Sequence, residues 1–246
     1  MISVARTAPP QVLQEYGARW LAALRTANDE LEQVENDSQA TLQQIRRAKK
    51  RKKRAQNKYR HRKIKDALET MFHDGKCAYC ESPIRVVTYG HIEHFYPKGN
   101  PNYVDKTFEW DNLLLSCDIC NDPGHKGIEF PLDASGDPLL IDPTDGVTDP
   151  VEHLKFSWDP QTGLASVYGL DERGREVERT FDLNGMRGRK ALIRERSRYI
   201  KSLYVILELC DHPEKGAKAL AFLQESCQPD APYSAFALAY IAPHIP

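Results

Sequence analysis

The sequence of 246 residues has no long hydrophobic run. A membrane-spanning helix needs about 18 to 20 consecutive apolar residues, and the longest apolar stretches, within YVILELC and AFALAYIA, are much shorter. The first residues, MISVARTAPPQVLQEYG, also lack the apolar segment of a signal peptide. The sequence therefore predicts a cytoplasmic protein without membrane segments, whose six cysteines stay reduced.

The sequence also has little net charge, but the charges are unevenly distributed. Thirty-four Lys and Arg residues against 35 Asp and Glu residues give a formal net charge of -1 at pH 7. Residues 46–65, RRAKKRKKRAQNKYRHRKIK, contain 13 basic residues and no acidic one, so the other 226 residues carry a net charge of -14. A basic block on an acidic protein predicts a polyanionic partner.

Three regions differ in their residue patterns. Apolar residues recur at helical spacing from Gln11 to Phe72, so residues 1–72 are predicted to form a helical N-terminal arm. Residues 73–135 are rich in Cys, His, Pro, Gly and Asn and are predicted to form a separate module. Turn signals and apolar runs predict further strands and helices in residues 136–246. The elements predicted there are strands at Leu154–Trp158, Leu164–Tyr168 and Val177–Leu183, and a long helix capped by Asn184.

Two CxxC pairs are the strongest local signal. Cys77 and Cys80 form the first pair, Cys117 and Cys120 the second, with 36 residues between the pairs. Two such turns together supply four thiolates, which complete a closed tetrahedral zinc shell and predict a structural Zn²⁺. Redox pairs or simple packing are the alternative interpretation, which the repeated spacing disfavours.

Between the CxxC pairs lies the segment HIEHFYPK, with Asn112 further along and Asn121 directly after the second pair. An acid-His pair ahead of a proline, a middle Asn and a third residue after the second pair resemble the HNH (ββα-metal) endonucleases. The resemblance covers about fifty residues and matches in order, spacing and zinc framework. It implies a mostly helical α+β protein, in which a ββα-metal module stapled by four cysteines joins the helical arm to an α+β C-terminal region.

The resemblance also implies a role for individual side chains. His94 corresponds to the general base of phosphodiester hydrolysis, and Glu93 and Asn121 would bind the catalytic divalent ion. Oxygen ligands and an incomplete protein shell suit Mg²⁺ or Mn²⁺. Asn112 would brace the loop that carries the base, and Lys98 could pair with a phosphate. The alternative for His94 is a histidine that only packs near the zinc, but its context favours catalysis.

Two departures from the family pattern leave alternatives open. Many members have Asp where Glu93 stands. The segment CNDPGHKG has extra residues between its Asn and the following Lys-Gly, so His125 is an alternative third metal ligand. His91 shares a strand face with Glu93 and is a candidate for a further metal ligand, a substrate contact or a structural hydrogen bond.

The resemblance extends beyond the module. CAYCE, IEHFYPK, NLLLSCDICN, LLIDPTDGVTDPVEHLKF and LNGMRGR resemble the PtuB-like HNH subunit of Septu-type and retron-associated antiphage systems. This resemblance implies a PtuA-like ABC/SMC ATPase as partner and a defence role. In that role the nuclease cuts invading DNA or, in some retron systems, host tRNA.

The basic block has three interpretations. Its cations would contact nucleic-acid phosphates, dock onto an acidic face of the ATPase, or form a solvated helix face. The candidate nucleic-acid contacts are Lys49, Lys50, Arg51, Lys52, Lys53 and Arg54. The main prediction is a metal-dependent HNH endonuclease, with DNA favoured over RNA as its substrate. The alternatives are a non-catalytic zinc-stapled binding module and a stand-alone restriction-type nuclease.

Overall fold

Three helices form the N-terminal part of the computed structural model, which describes residues 1–86 and 88–245. They are α1 (Gln11–Asn36), α2 (Leu42–Gln56) and α3 (Arg62–Met71). A capping box begins α2, because the Thr41 hydroxyl accepts from the Gln44 backbone N–H while the Gln44 side chain accepts from the Thr41 backbone. The basic block therefore lies on α2, on the short 3-10 helix Asn57–Arg60 that follows it, and on the start of α3.

A two-stranded antiparallel sheet forms the centre of the module predicted for residues 73–135. Strand β1 (His91–His94) pairs with β2 (Leu113–Ser116), so that His91 lies opposite Ser116 and His94 lies opposite Leu113. All four residues of β2 are buried, which makes it the inner strand. Gly90 precedes β1 with a φ of 61°, a left-handed conformation in which a Cβ atom would lie 2.8 Å from the Ile84 side chain.

The segment after the second CxxC pair consists of turns, where the resemblance places the helix of a ββα module. Asp122 Oδ1 accepts a hydrogen bond of 2.8 Å from the Gly124 N–H, which closes a turn around Pro123. Gly127 is left-handed, with a φ of 47°. Turns, which Pro and Gly favour, therefore replace the helix that the resemblance implies here.

The C-terminal part combines a second antiparallel hairpin with helices. Its elements are α4 (Pro150–His153), β3 (Leu154–Asp159), β4 (Leu164–Gly169), α5 (Glu172–Thr180), α6 (Lys190–Leu207), α7 (Gly216–Ser226) and α8 (Ser234–Tyr240). β3 and β4 pair as an antiparallel hairpin and contain the strands predicted at Leu154–Trp158 and Leu164–Tyr168. The prediction of a mostly helical α+β protein is confirmed.

Two local predictions in this part are wrong. Val177–Leu183 is not a strand: Val177 lies in α5, and both Val177 and Phe181 are buried, because a spacing of four places them on one helical face. Asn184 does not cap the long helix, which begins six residues later at Lys190. Its side chain instead bonds both the N–H and the C=O of Val167 on β4, at 2.9 and 2.6 Å.

One hydrophobic core contains residues from all three predicted regions. Ile64 of α3, Leu114 of β2 and Ile200 of α6 each have 0% exposed surface within it. The central module is thus supported by helices from both sides. None of the helices in the described part of the chain is long and apolar enough to cross a membrane.

Candidate active site and metal centre

The four cysteines of the CxxC pairs converge on one point. Their Sγ atoms all lie within 4.8 Å of one another, and those of Cys80 and Cys117 are 3.8 Å apart. Sulfur atoms about 2.3 Å from a tetrahedral zinc are separated by about 3.8 Å. The donor set and its spacing therefore fit a structural metal. Within residues 1–86 and 88–245, this is the one group of three or more His, Cys, Asp or Glu side chains found close enough to hold an ion.

Arg189 is a component of this centre that the sequence analysis missed. Its guanidinium donates to the Sγ atoms of Cys120 and Cys80 at 3.1 Å each, and to that of Cys117 at 3.5 Å. It also donates to the Phe181 carbonyl at 2.7 Å. Arg189 belongs to the LNGMRGR motif, so the resemblance of that motif to the PtuB-like subunit was the available signal.

Burial and charge shift the pKa values of the groups at this centre in opposite directions. Burial raises the pKa values of Cys77 and Cys120. Hydrogen bonds from the other cysteines, with the Arg189 charge, lower the pKa of Cys80. Burial opposes the charge of Arg189, but the four sulfur atoms together raise its pKa above the ordinary value. A closed four-thiolate zinc site is negatively charged, and Arg189 supplies a buried compensating charge.

Glu93 lies on β1 and is buried beside a lysine. Its Oε1 lies 2.6 Å from the Nζ of Lys126, an ion pair rather than a well-directed hydrogen bond. Lys126 has no exposed surface and also donates to the His94 carbonyl at 2.8 Å. The carboxylate is a suitable hard ligand for Mg²⁺ or Mn²⁺, but its charge is balanced by Lys126 in this structure.

His94 ends β1 and is only 2% exposed. Its Nε2 lies 3.1 Å from the carbonyl oxygen of Thr107. A carbonyl can only accept, so in neutral His94 the proton is on Nε2 and the lone pair is on Nδ1. Nδ1 is buried and has no hydrogen-bond partner among the described residues. Burial, with the nearby ammonium groups of Lys98 and Lys126, lowers the pKa of His94 to about 3, so the ring is neutral at pH 7.

Tyr59 covers His94 from the N-terminal arm. The two ring centroids are 4.5 Å apart at an interplanar angle of 86°, an edge-to-face contact. Tyr59 is itself 3% exposed. Tyr59 of the basic block therefore covers His94, the histidine that the family resemblance predicts to be the general base.

Asn112 joins two parts of the loop that separates β1 from β2. Its Oδ1 accepts from the Tyr96 N–H at 2.7 Å, and its Nδ2 donates to the carbonyls of Tyr96 and Lys106 at 3.1 and 2.9 Å. Asn112 thus ties the residues that follow His94 to the segment just before Thr107, the residue bonded to His94.

Asn121, Lys98 and His91 meet at a cavity of about 260 Å³. Arg60 and Lys65 of the N-terminal arm also line it. His91 is 47% exposed at its side chain and lies 2.6 Å from Asp118, so in this structure its ring pairs with a carboxylate. Three of the predicted site residues therefore share one cavity, next to the strand that carries Glu93 and His94.

His125 lies in different surroundings. Arg189, Arg187 and Asp182 of the C-terminal part are among its charged neighbours, and burial is the main cause that lowers its pKa. Its two ring nitrogens are buried and unpartnered within the described residues. His125 does not line the cavity that contains Asn121.

The basic block is mostly exposed. Lys49, Lys50, Arg51, Lys53 and Arg54 are exposed, and Lys52 is half-buried. Two ion pairs hold α2 antiparallel to α1: Lys49 with Glu35 at 2.9 Å and Arg51 with Glu30 at 3.0 Å. The remaining cations of this surface face solvent and lead along α2 towards Arg60 and the cavity.

The chain was compared with known proteins. Residues 77–127 match the family model of the HNH endonucleases. The chain is 33% identical over 168 residues to the Septu protein PtuB of Bacillus mycoides (strain KBAB4), an alignment that covers 59% of this chain and 53% of that protein. The chain thus spans about half the length of this relative, and no solved structure gives a significant match. Residues 77–127, which hold the four cysteines, Glu93, His94, Asn112 and Asn121, are therefore similar to an HNH endonuclease domain, in a chain similar to PtuB.

Proposed function

We propose that this protein is a metal-dependent endonuclease that hydrolyses phosphodiester bonds of nucleic acid, with DNA as the first substrate to test. The observation that carries the proposal is the state of His94. Its Nε2 is tied to a backbone carbonyl, and its buried Nδ1 has a free lone pair. A neutral imidazole with one free nitrogen is what a general base requires.

The other side chains of the site support the same reaction. Glu93 and Asn121 are the proposed protein ligands of a Mg²⁺ or Mn²⁺ ion, which when bound polarises the phosphate and neutralises charge on its oxygens. His94 Nδ1 accepts the proton of the attacking water. Asn112 holds the loop that positions His94, and the cysteine centre, proposed to contain Zn²⁺, holds Asn121 through the adjacent Cys120.

In this structure the candidate active site is closed to solvent. With His94 2% exposed under Tyr59, and Glu93 paired with Lys126, neither group reaches solvent. Hydrolysis therefore requires Tyr59 to move away from His94, and the buried Glu93 carboxylate to become accessible to a metal ion. A partner that moves the Tyr59 ring while Arg60 and Lys65 stay at the cavity would control the reaction. The similarity to a Septu protein supports a defence complex, for which we propose a PtuA-like ABC/SMC ATPase as partner.

The experiment is a cleavage panel. Plasmid DNA and RNA are incubated with Mg²⁺ or Mn²⁺ and the wild type, His94→Ala, or His244→Ala, with and without the ATPase partner. His244 is an exposed histidine near the C-terminus and serves as the matched control. We expect cleavage by the wild type and His244→Ala only. The proposal fails if wild type and His94→Ala cleave alike, or if neither cleaves even with the partner.

The buried Glu93–Lys126 ion pair favours one alternative, a zinc-stapled binding module without chemistry. In a module of that kind Lys126 would balance Glu93 permanently. Nucleic-acid binding without cleavage in the panel above would support the binding module. Cleavage that depends on His94 would exclude it.

The basic arm provides a second test of nucleic-acid binding. Replacing the four lysines within Lys49–Lys53 by Gln should reduce the slope of log K against log salt, because each lost phosphate contact releases fewer counterions. A matched control removes four exposed cations from α6, namely Lys190, Arg194, Arg198 and Lys201. An unchanged slope for the arm variant would exclude contact with phosphates and leave docking to the partner as its role.

A further inference from the structure

The cavity beside β1 is lined by three cations. Arg60 and Lys65 come from the N-terminal arm, and Lys98 comes from the loop after β1. Asn121 and His91 complete its polar wall. No acidic side chain of the described residues lines it, and Asp118 pairs with the His91 ring at 2.6 Å. A cavity with three positive charges and no lining carboxylate is suited to an anion.

Lys65 is the least satisfied of these cations. Its Nζ is buried and has no hydrogen-bond partner among the residues that the structure describes. The two carboxylates that act on its charge are used elsewhere, Asp118 by His91 and Glu69 by Arg85 at 3.7 Å. Burial accordingly lowers the pKa of Lys65. A buried ammonium without a partner is unfavourable, and an anion in the cavity would satisfy it.

Tyr59 orients the other two cations. The Arg60 guanidinium carbon lies 5.7 Å from the Tyr59 ring centroid, and Arg60 Nε donates to the Tyr59 hydroxyl at 3.1 Å. Lys98 Nζ lies 5.1 Å from the centroid of the same ring. Both are cation–π contacts that hold the charged groups without neutralising them. The cations are therefore positioned for a ligand.

The size and position of the cavity identify the ligand class. Its 260 Å³ is below the range of about 300–1,000 Å³ typical of sites that enclose a whole small molecule, so it suits a single phosphate group. A guanidinium and two ammonium groups are typical phosphate ligands. The exposed cations of α2 lead to Arg60, which connects the cavity to a surface suited to a nucleic-acid backbone.

We propose that Arg60, Lys65 and Lys98 bind a backbone phosphate of the nucleic acid and so place the strand beside Asn121. This inference rests on the proposed function and adds to it the side chains that position the substrate. It assigns to Lys65, a residue of the helix that precedes the HNH domain, a positioning role in binding.

The test compares Lys65→Gln with Lys201→Gln, an exposed lysine on α6 that lies outside the basic block and does not line the cavity. Binding of labelled DNA and RNA oligonucleotides is measured by fluorescence anisotropy over a salt series, without added Mg²⁺ or Mn²⁺. We expect Lys65→Gln to bind about tenfold more weakly, with a salt slope lower by about 1. Lys65→Arg should restore most of the affinity, and Lys201→Gln should resemble the wild type.

Thermal unfolding separates binding from a structural role. Lys65→Met removes an unsatisfied buried charge and should unfold at the same temperature as the wild type or above it. A lower melting temperature for Lys65→Met would overturn the proposal, because Lys65 would then support the fold. Wild-type affinity and slope for Lys65→Gln would overturn it as well.

Inorganic phosphate distinguishes the source of the ligand. If millimolar phosphate raises the melting temperature of the wild type but not of Lys65→Gln, while both bind oligonucleotides alike, the pocket takes free phosphate and the proposal is wrong. Because no cleavage is measured, a weaker Lys65→Gln complex supports the pocket even where the cleavage panel is negative. The two proposals therefore fail separately.

Discussion

Replacing Arg189 by Met tests the cysteine centre most directly. The guanidinium is 7% exposed and donates to three of the four sulfur atoms, two of them at 3.1 Å. Met has a similar length but neither charge nor donors. The substitution leaves all four metal ligands in place, so its effect on zinc binding reports the contribution of Arg189 alone.

The expected magnitude follows from the position of Arg189 behind the ligands. Removing a group that hydrogen-bonds to metal ligands typically weakens metal binding about 10- to 100-fold, which corresponds to about 1.4 to 2.7 kcal/mol. The three sulfur contacts and the burial of Arg189 place it at the upper end of that range. Arg189→Lys keeps the charge but loses the planar fork, so it should lie between Met and the wild type.

Competition with a chromophoric chelator measures the zinc affinity of each variant. Arg187→Met is the matched control, because Arg187 donates to the carbonyls of Gly124 and Thr180 and not to sulfur. Equal zinc affinities for the wild type and Arg189→Met would refute the reasoning. An equal loss in Arg187→Met would also refute it, since the effect would then not depend on the sulfur contacts.

Three further predictions concern the same domain. Chelating the zinc should abolish the cooperative melting of the central module, because four thiolates are its main cross-link, and an unchanged melting curve would contradict this. His94 has a folded pKa of about 3 against about 6.5 when unfolded, so the unfolded chain binds more protons between these values. The free energy of unfolding should therefore fall by up to about 1.4 kcal/mol per unit as pH decreases from 6.5 towards 3, and His94→Gln should lack this contribution in acid titrations. Tyr59→Ala should expose His94 and accelerate its modification by diethyl pyrocarbonate, followed by peptide mass spectrometry, while the rate at exposed His244 stays constant.

The cysteine centre and the basic helix were predictable because their signals are local. Each CxxC turn sets the geometry of its two thiols within four residues, so only the meeting of two turns depended on the fold. The basic block contains no acid or proline, and its capping residues precede it directly. Short-range periodicity also predicted the helical arm, whereas the mostly helical α+β class was implied by the family resemblance.

Elements with ambiguous periods were predicted less well. The spacing of Val177 and Phe181 fits both one face of a strand and one face of a helix. The Asp171 side chain favours the helix, because it caps α5 by accepting from the Gly174 N–H at 2.8 Å. Asn184 is a good cap in isolation, but β4 uses its side chain instead. In both cases a contact outside the pattern selected the structure.

The sequence by itself determined which chemical groups are available: four thiolates at metal spacing, an acid-His pair, two asparagines and a run of cations. Only the tertiary structure decided which groups meet. Arg189 lies 109 residues from Cys80, and Lys126 lies 32 residues from the His94 carbonyl that it contacts. Tyr59, 35 positions before His94, covers it. Residue type and local spacing are properties of the chain. Burial, charge compensation and access to His94 depend on packing between distant segments, which no local pattern encodes.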